Sequence, residues 1–431
     1  MAVLEILVLI LTFLILMMMG VPIAFSIGIS TVCTLLVSMA PMPATTTVAQ
    51  RMATGLDSFA LLAIPFFILA GQLMNRGGIA RRLIDFAKSL VGTLPGGLAH
   101  VNILAAMLFG AISGSAAAAA SAVGGVMTPR MDEEGYDRGY GAAVNITAAT
   151  TGLVIPPSNI LIVYSLASGG VSIAALFLAG YLPGILVGLS LMVVAGVIAL
   201  RRGYPRAERV RIRVIFRHFM EAVPSLFMLI LVIGGIVAGI FTATEASAVA
   251  VFYAFVLAML YREIRVGDLP DILLETVKTT AIVMLLIGTS MGLSWVMAYE
   301  NIPQNVSEGL IALAESPIVI LLIINIILLM VGTFMDMTPA VLIFTPIFLP
   351  IVVELGMDPT HFGIVMVLNL CVGLCTPPVG SVLFIGCSIA EIPITRVVRP
   401  LLPLFIAMII SLLIVTYVPA LSLWLPRLFG F

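Results

Sequence analysis

Two copies of a Gly-Leu-x-x-Pro-Pro motif interrupt the apolar stretches of this 431-residue sequence, at residues 152–157 and 373–378. A proline within a helix cannot donate a hydrogen bond to the carbonyl four residues earlier, so each motif breaks its helix and frees the carbonyl oxygens of its Gly and Leu. An acidic-x-Gly-x-Asp sequence begins 19 residues before each copy, at Glu133 and at Glu354. Because both patterns recur after 221 residues, the sequence predicts an internal duplication.

The amino-acid composition indicates whether the two motif copies lie in water or in a membrane. Hydrophobic residues make up 61% of the chain and charged residues 10%, and a water-soluble fold does not bury that much apolar surface. Apolar runs of about 18 residues or more recur along the chain, whereas the alternating pattern of outer-membrane strands does not. The sequence therefore predicts an all-α polytopic membrane protein.

The chain is predicted to form two repeats, residues 1–200 and 218–431, joined by a linker at 201–217. Each repeat is predicted to contain about five transmembrane helices, one re-entrant hairpin and one Pro-broken helix. The predicted hairpins span residues 96–130 and 317–350, and the predicted broken helices span residues 141–168 and 361–390. Residues 40–43 are predicted as a loop and residues 279–299 as a span.

The charges predict the topology. The linker holds seven arginines, which fits a cytoplasmic loop under the positive-inside rule better than a nucleic-acid site. With the linker inside and the hairpins not crossing, five crossings precede it and five follow, so both termini are predicted outside. Eighteen of the twenty Lys and Arg residues then lie inside, with Arg51 and Arg427 outside. An odd number of crossings inverts the second repeat relative to the first and places one site near the membrane midplane.

The second hairpin suggests a cation site. Asp336 lies deep within an apolar run, where an unpaired carboxylate is costly unless a bound cation offsets its charge. The predicted ligands are the hairpin residues Gly332, Asp336 and Thr338 and the freed carbonyls of Gly373 and Leu374. Such hard oxygen ligands suit a small alkali ion more than zinc or iron. The alternative is a protonated or helix-capping aspartate, since Asp-x-Thr-Pro is also a good helix start.

The first hairpin offers a corresponding site without a carboxylate. Its predicted ligands are Ser113 or Ser115 with the freed carbonyls of Gly152 and Leu153. The alternative is that this Ser/Ala/Gly stretch only forms a close-packing helix face.

A substrate anion is predicted where the second halves of the broken helices begin. Free amides at a helix N-terminus favour a negative group, most simply a carboxylate. Ser158 and Asn159 at the first break, and Gly380 and Ser381 at the second, are the candidate substrate contacts. The alternative is that Ser and Asn after Pro-Pro serve only as helix caps.

At these residues the sequence resembles the large membrane subunit of tripartite ATP-independent periplasmic (TRAP) transporters, the DctM-like family. The matching motifs cover most of the chain, in order: Ala63-Ile-Pro65-Phe-Phe-x-Leu-Ala70-Gly71, Met74-Asn75-x-Gly-Gly78, Gly110-x-x-Ser113-Gly114-Ser115-Ala116, Ile155-Pro156-Pro157-Ser158, Thr242-x-Thr244-Glu245-Ala246, Gly332-x-x-x-Asp336-x-Thr338-Pro339 and Thr376-Pro377-Pro378-x-Gly380. The run Ala116–Ala120 departs from the family, which often has polar residues there, and this departure weakens the prediction of side-chain ligands at the first tip.

The resemblance implies a sodium-driven, elevator-type importer of the bacterial inner membrane, with two Na⁺ sites at the hairpin tips. It also implies two partners, a small four-helix membrane subunit (DctQ-like) and a periplasmic substrate-binding protein (DctP-like). Family substrates include C4-dicarboxylates, keto sugar acids and sialic acid. The segment Ile155–Asn159, with Tyr164 and Ser165, is closest to the sugar-acid members.

Other functions fit the residues less well. A stand-alone ion-coupled carboxylate symporter or antiporter would share the repeats and need no binding protein, and it remains the main alternative. An intramembrane serine protease at Ser113-Gly114 lacks a partner histidine, so the chain is not predicted to be an enzyme. A non-transporting structural subunit would leave the paired helix breaks and the intramembrane acid unexplained.

Overall fold

The fold is helical throughout the part of the chain that the structure describes, as predicted. The computed structural model describes residues 2–205, 212–313, 316–377 and 379–431. The helices of the first repeat are α1 (Ala2–Met18), α2 (Ile23–Ser38), α3 (Pro41–Leu56), α4 (Ala63–Arg76), α5 (Ile79–Val91), α6 (Gly97–Ser113), α7 (Ala116–Glu133), α8 (Arg138–Thr151), α9 (Asn159–Ala167) and α10 (Ile173–Arg202).

The helices of the predicted second repeat come next. They are α11 (Ile212–Val237), α12 (Ala243–Leu260), α13 (Leu269–Tyr299), α14 (Ile302–Leu313), α15 (Pro317–Phe334), α16 (Met337–Glu354), α17 (Pro359–Leu374), α18 (Ser381–Ala390), α19 (Ile394–Tyr417) and α20 (Ala420–Leu428). Helix α13 covers the positions equivalent to most of α3 and all of α4. Among the described residues, eight helical segments are long and apolar enough to cross a membrane. The prediction of an all-α polytopic membrane protein is therefore confirmed.

The two repeats have matching elements. A shift of 221 residues carries α7 onto α16 from end to end and carries the start of α8 onto the start of α17. The contacts between helices match as well, because α7 packs on α18 as α16 packs on α9, and α4 packs on α12 as α13 packs on α2. The duplication predicted from the two proline motifs thus extends to the packing.

Residues 221 positions apart also touch each other across the two repeats. The Ser411 hydroxyl donates to the Ser190 hydroxyl at 3.0 Å, and the Cys371 thiol donates to the Thr150 carbonyl at 3.3 Å. These bonds lie where α10 packs on α19 and α8 packs on α17.

Each repeat contains a helical hairpin with a short tip. Gly114, in a left-handed conformation with φ 61°, and Ser115 join α6 to α7. The amide of Asn102, near the start of α6, lies 3.9 Å from the sulfur of Met131, near the end of α7. The two outer ends of the hairpin are therefore side by side, and its tip points into the protein. In the second repeat Met335 and Asp336 join α15 to α16.

The acidic-x-Gly-x-Asp sequences start the broken helices. Asp137 caps α8 by accepting from the Tyr140 amide at 2.9 Å, and Asp358 caps α17 by accepting from the Thr360 amide at 2.8 Å. The glycine two residues earlier has a φ of 82° in the first copy and 84° in the second, a conformation that side chains disfavour. The repeated sequence is thus a turn that ends the hairpin and begins the next helix.

Several predicted boundaries were wrong. The predicted loop at residues 40–43 is the start of α3, because Pro41 occupies the first helical turn, where a missing N–H costs nothing. The predicted span 279–299 is the second part of α13, which begins at Leu269 and includes charged residues near its start. Both ends of the predicted linker 201–217 are helical, since α10 continues to Arg202 and α11 begins at Ile212. Residues 206–211, and Pro378 of the second motif, lie outside the described residues.

Candidate functional site

A cavity of about 340 Å³ lies where the two hairpin tips meet the two helix breaks. Its remaining walls are formed by α4 and α13. Of the predicted site residues, those lining it are Ser113, Ser115, Leu153, Asn159, Asp336, Thr338, Leu374 and Ser381. The fold therefore brings residues predicted for both ion sites and for the substrate around one space.

Glycine pairs hold each hairpin directly against the adjacent break. A Cβ added to Gly152 would lie 2.4 Å from the Cα of Gly110 in α6, and a Cβ added to Gly373 would lie 2.7 Å from the Cα of Gly332 in α15. Only a residue without a side chain permits such a backbone contact. Gly332 and Gly373 therefore set the distance between the second tip and its break and do not themselves line the cavity.

Asp336 stands at the N-terminus of α16 and is exposed to the cavity. Its side chain makes no capping hydrogen bond to α16, and it forms no ion pair with any residue of the described ranges. Asp336 is the N-cap residue of α16, and its carboxylate is not paired with a basic side chain of the described ranges. It stands at the tip of the hairpin, two residues before Thr338.

Ser115 occupies the position equivalent to Asp336, 221 residues earlier. Unlike Asp336, it caps its helix, because its hydroxyl accepts from the Ala118 amide at 3.2 Å. The Ser113 hydroxyl donates to the Ser115 carbonyl at 3.5 Å. The two hydroxyls of the first tip therefore both form hydrogen bonds with the backbone of that tip.

We expect a Ser115→Ala variant to be less stable by about 1 kcal/mol, the usual cost of losing a Ser cap. Ser121→Ala is the matched control, because Ser121 is exposed within the same helix. The measurement is thermal unfolding of both purified variants. Equal melting temperatures for the two variants would show that the Ser115 cap does not stabilise α7.

The carbonyls at the two breaks differ from each other. Within the described ranges, no hydrogen bond ends on the carbonyl oxygens of Gly152 or Leu153. The Gly373 carbonyl instead accepts from the Thr376 amide at 2.9 Å. The prediction that this carbonyl is left unpaired was wrong, because the chain tightens into a turn after α17. A carbonyl oxygen has two lone pairs, so one remains for a ligand.

The predicted substrate residues divide into two groups. Asn159 and Ser381 line the cavity at the N-termini of α9 and α18. Ser158 is buried, and its hydroxyl has no hydrogen-bond partner among the described residues. Gly380 does not line the cavity; a Cβ there would lie 2.4 Å from the Leu374 carbonyl oxygen. Its role is to allow this close approach within the break.

Three polar side chains of the opposite wall were missed by sequence reasoning. Gln72 and Asn75 on α4 and Thr279 on α13 face the cavity. The spacing of Gln72 and Asn75 puts them on one face of α4. Two amide side chains within an otherwise apolar helix were the sequence feature that could have identified Gln72 and Asn75 as cavity residues. A Cβ on neighbouring Gly71 would lie 2.7 Å from the Ser113 carbonyl oxygen, so α4 touches the first hairpin tip.

Known proteins resemble this chain along nearly its whole length. Residues 10–421 match the family described as tripartite ATP-independent periplasmic transporter, DctM component. The uncharacterized protein YgiK of Salmonella typhimurium is 57% identical, over 97% of this chain and 96% of that protein. The C4-dicarboxylate TRAP transporter large permease protein DctM of Pseudomonas aeruginosa is 44% identical, over 87% of this chain and 88% of that protein.

A longer relative and a solved structure add to these matches. The isethionate TRAP transporter permease protein DctMQ of Oleidesulfovibrio alaskensis is 41% identical, over 95% of this chain but 64% of that protein. The crystal structure of the YdaH transporter of Alcanivorax borkumensis superposes with a TM-score of 0.61 at 14% identity, covering 89% of this chain and 88% of that one. That likeness shows a shared fold. By the family match and these identities, the chain belongs to the DctM component family of tripartite ATP-independent periplasmic transporters.

Proposed function

We propose that this large permease subunit couples the entry of Na⁺ to the import of an organic acid delivered by a periplasmic binding protein. The observation that carries the proposal is the Asp336 carboxylate, which forms no ion pair among the described residues and faces a cavity shared by both hairpin tips and both breaks. An unpaired acid within a membrane protein usually has a functional partner. The oxygen atoms around this acid suit an alkali cation.

Two Na⁺ sites fit the geometry. The second site would use Asp336, Thr338 and the Leu374 carbonyl, together with the remaining lone pair of the Gly373 carbonyl. The first site would use the unpaired carbonyls of Gly152 and Leu153, with the hydroxyls of the first tip as weaker ligands because they already bond the backbone. In both copies a glycine contact holds the helix that leads to the tip against the adjacent break.

The acid group of the substrate would bind between the N-termini of α9 and α18. Free amides at a helix start favour an anion, and Asn159 and Ser381 stand at these two starts beside the cavity. The side-chain oxygen of Asn159 has no hydrogen-bond partner among the described residues. Na⁺ at the neighbouring tips would stabilise the same anion and thereby couple the two binding events.

The duplicated fold supports alternating access by an elevator-type movement of inverted repeats. Positive residues then mark the cytoplasmic side of the bacterial inner membrane, with residues 201–217 inside and both termini in the periplasm. The cavity is lined by Asn75 and Thr279, which adjoin Arg76 and Lys278 along α4 and α13. Ile64, near the other end of α4, also lines the cavity, so the cavity extends along most of that helix.

Two partners complete the proposed transporter, a small four-helix membrane subunit and the periplasmic binding protein. The relative named DctMQ exceeds this chain in length, and its name joins the large permease to a second component. Large exposed apolar side chains run along α1 and α11. These faces suit lipid and a membrane partner equally.

The test is uptake by proteoliposomes that contain this chain with its small subunit and binding protein. We expect uptake of an organic acid only with all three proteins and an inward Na⁺ gradient, and no uptake when K⁺ replaces Na⁺. Uptake by vesicles that contain this chain alone would instead favour a stand-alone ion-coupled carboxylate symporter or antiporter. Uptake that is indifferent to Na⁺ would contradict the proposed coupling.

A further inference from the structure

We infer that the first turns of α11, together with α5, bind the headgroup of an anionic phospholipid. The surface consists of residues 212–221 of α11 and the exposed side of α5, and none of these residues lines the cavity. It combines basic side chains that lack acidic partners with large exposed apolar side chains. In the proposed topology the adjoining linker is cytoplasmic, so the lipid belongs to the cytoplasmic leaflet.

The start of α11 and the helix α5 lie side by side and run in opposite directions. Phe86 of α5 contacts Phe219 of α11, with ring centroids 5.6 Å apart. Arg82, one turn earlier in α5, is close enough to Glu221, two residues later in α11, to interact with its charge. The side chains of both helices are therefore presented on one continuous surface.

An apolar stripe runs along the first turns of α11. Ile212 is 85% exposed, Phe216 is 62% exposed and Met220 is 46% exposed. Residues four positions apart lie on the same side of a helix, so these three side chains form one row. A row of large apolar side chains on a helix with basic neighbours is typical of a helix that contacts the interface of a membrane.

Basic side chains form the next row of the same helix. Arg213 and Arg217 each follow one residue after a member of the apolar stripe. Arg217 pairs with Glu221, with its Nε 2.9 Å from a carboxylate oxygen. Arg213 is exposed and forms no ion pair among the described residues. Its guanidinium is thus available to a ligand beside the stripe.

Helix α5 adds further basic groups to this surface. Arg81 and Lys88 are two turns apart on one side of the helix, and neither forms an ion pair within the described ranges. Asp85 lies between them on the same side, so that side of α5 carries one net positive charge. Together with Arg213, these residues give the surface an excess of positive charge.

The basic residues near the turn that joins α7 to α8 differ, because they have acidic partners. Arg138 is 2.6 Å from Asp132, and Arg202 is 3.9 Å from Asp137. Acidic side chains therefore offset the positive charge of that turn. The surface formed by α5 and α11 retains its positive charge and has the apolar stripe beside it.

An anionic phospholipid matches both parts of the surface. Its phosphate accepts charge-assisted hydrogen bonds from arginine and lysine, and its acyl chains cover the apolar stripe. A soluble phosphate leaves the stripe in water. A zwitterionic lipid brings its own ammonium group, which offsets the attraction to the basic side chains. Basic segments at the cytoplasmic end of a membrane helix attract anionic lipids through the same forces.

The experiment titrates the purified full chain in detergent with dioleoyl phosphatidylglycerol and with dioleoyl phosphatidylcholine, which have identical acyl chains. The readout is the melting temperature at low and at high salt. We expect the half-saturating concentration of the anionic lipid to be lower by about tenfold or more at low salt. High salt should remove this difference, because it screens charges at exposed sites. Glycerol phosphate, the free headgroup, should not stabilise the chain. Equal action of the two lipids, or equal stabilisation by glycerol phosphate, would overturn the inference.

A double variant assigns the effect to this surface. Arg81→Gln combined with Arg213→Gln should raise the half-saturating concentration of phosphatidylglycerol by about tenfold and leave that of phosphatidylcholine unchanged. Arg201→Gln combined with Arg399→Gln is the matched control, since it removes two exposed arginines outside α5 and α11. The control should bind phosphatidylglycerol as the parent does. An equal loss in both double variants would show that the lipid responds to the total charge of the chain and not to this surface.

The apolar stripe is tested by Phe216→Ser. This variant should bind both lipids more weakly and keep the salt dependence of phosphatidylglycerol binding, because the arginines remain. Phe252→Ser is the control, since Phe252 is 71% exposed on α12 and lies outside the surface. Unchanged lipid binding in Phe216→Ser would contradict the assigned role of the stripe. Because these measurements need neither substrate nor uptake, lipid binding can fail while sodium-driven import stands.

Discussion

Sodium-driven uptake is expected to fall to background when Asp336 is replaced by alanine. The Asp336 carboxylate is the one formally charged group that lines the cavity among the described residues, and it forms no ion pair with a basic side chain there. Removing even a supporting group of a metal site typically costs about 10–100-fold in metal affinity, and Asp336→Ala removes the carboxylate that we propose as a direct ligand. The measurement is uptake by the reconstituted complex as the Na⁺ concentration is varied.

Two further variants separate ion binding from folding. Asp336→Asn keeps the size of the side chain and an oxygen at the start of α16 but removes the charge, so we expect a folded protein with a large loss of sodium affinity. Glu245 is a matched acid at another helix start, where it accepts from the Thr242 amide at 2.8 Å in a capping box. Glu245→Ala should lose about 1 kcal/mol of stability and retain sodium-driven uptake. Unchanged sodium dependence in Asp336→Ala would refute the second site.

The sequence predicted the features that local chemistry determines. Proline cannot continue a helical hydrogen-bond ladder, so the ends of α8 at Thr151 and of α17 at Leu374 follow from the motifs themselves. The apolar runs predicted the membrane class, which the structure confirms. The duplication was visible because both copies keep the same turn and break at the same spacing, and α7 and α16 match after that shift.

Other features depend on tertiary contacts that no local pattern contains. Gln72 and Asn75 belong to the cavity only because α4 packs against the first hairpin tip at Gly71. The Gly373 carbonyl was predicted to be free from its distance to Pro377, but a turn to Thr376 occupies one of its lone pairs. Ser115 and Asp336 occupy equivalent positions, but only the Ser115 side chain makes a capping hydrogen bond to its helix. The equivalence of the two positions in the sequence did not reveal this difference.

Adding one methyl group at either break should abolish uptake. In Gly373→Ala the new Cβ would lie 2.7 Å from the Cα of Gly332, and in Gly152→Ala it would lie 2.4 Å from the Cα of Gly110. Both obstacles are backbone atoms, which cannot rotate away as a side chain can. Overpacking of this kind typically costs about 1–3 kcal/mol, and here it separates the hairpin tip from the carbonyls with which it would share an ion.

The control for this prediction is Gly125→Ala in the middle of α7, where an added Cβ meets nothing within 4 Å. That variant should be as stable as the parent or more so, since alanine is favoured over glycine within a helix by about 1 kcal/mol. Uptake and the stabilisation of each purified variant by NaCl are measured together. Gly373→Ala should lose both, because displacement of the second tip would move Asp336 away from the carbonyls with which we propose that it shares an ion. A normal half-saturating Na⁺ concentration in Gly373→Ala would mean that contact between hairpin and break does not build the ion site, and the ligands would then have to come from the tip alone.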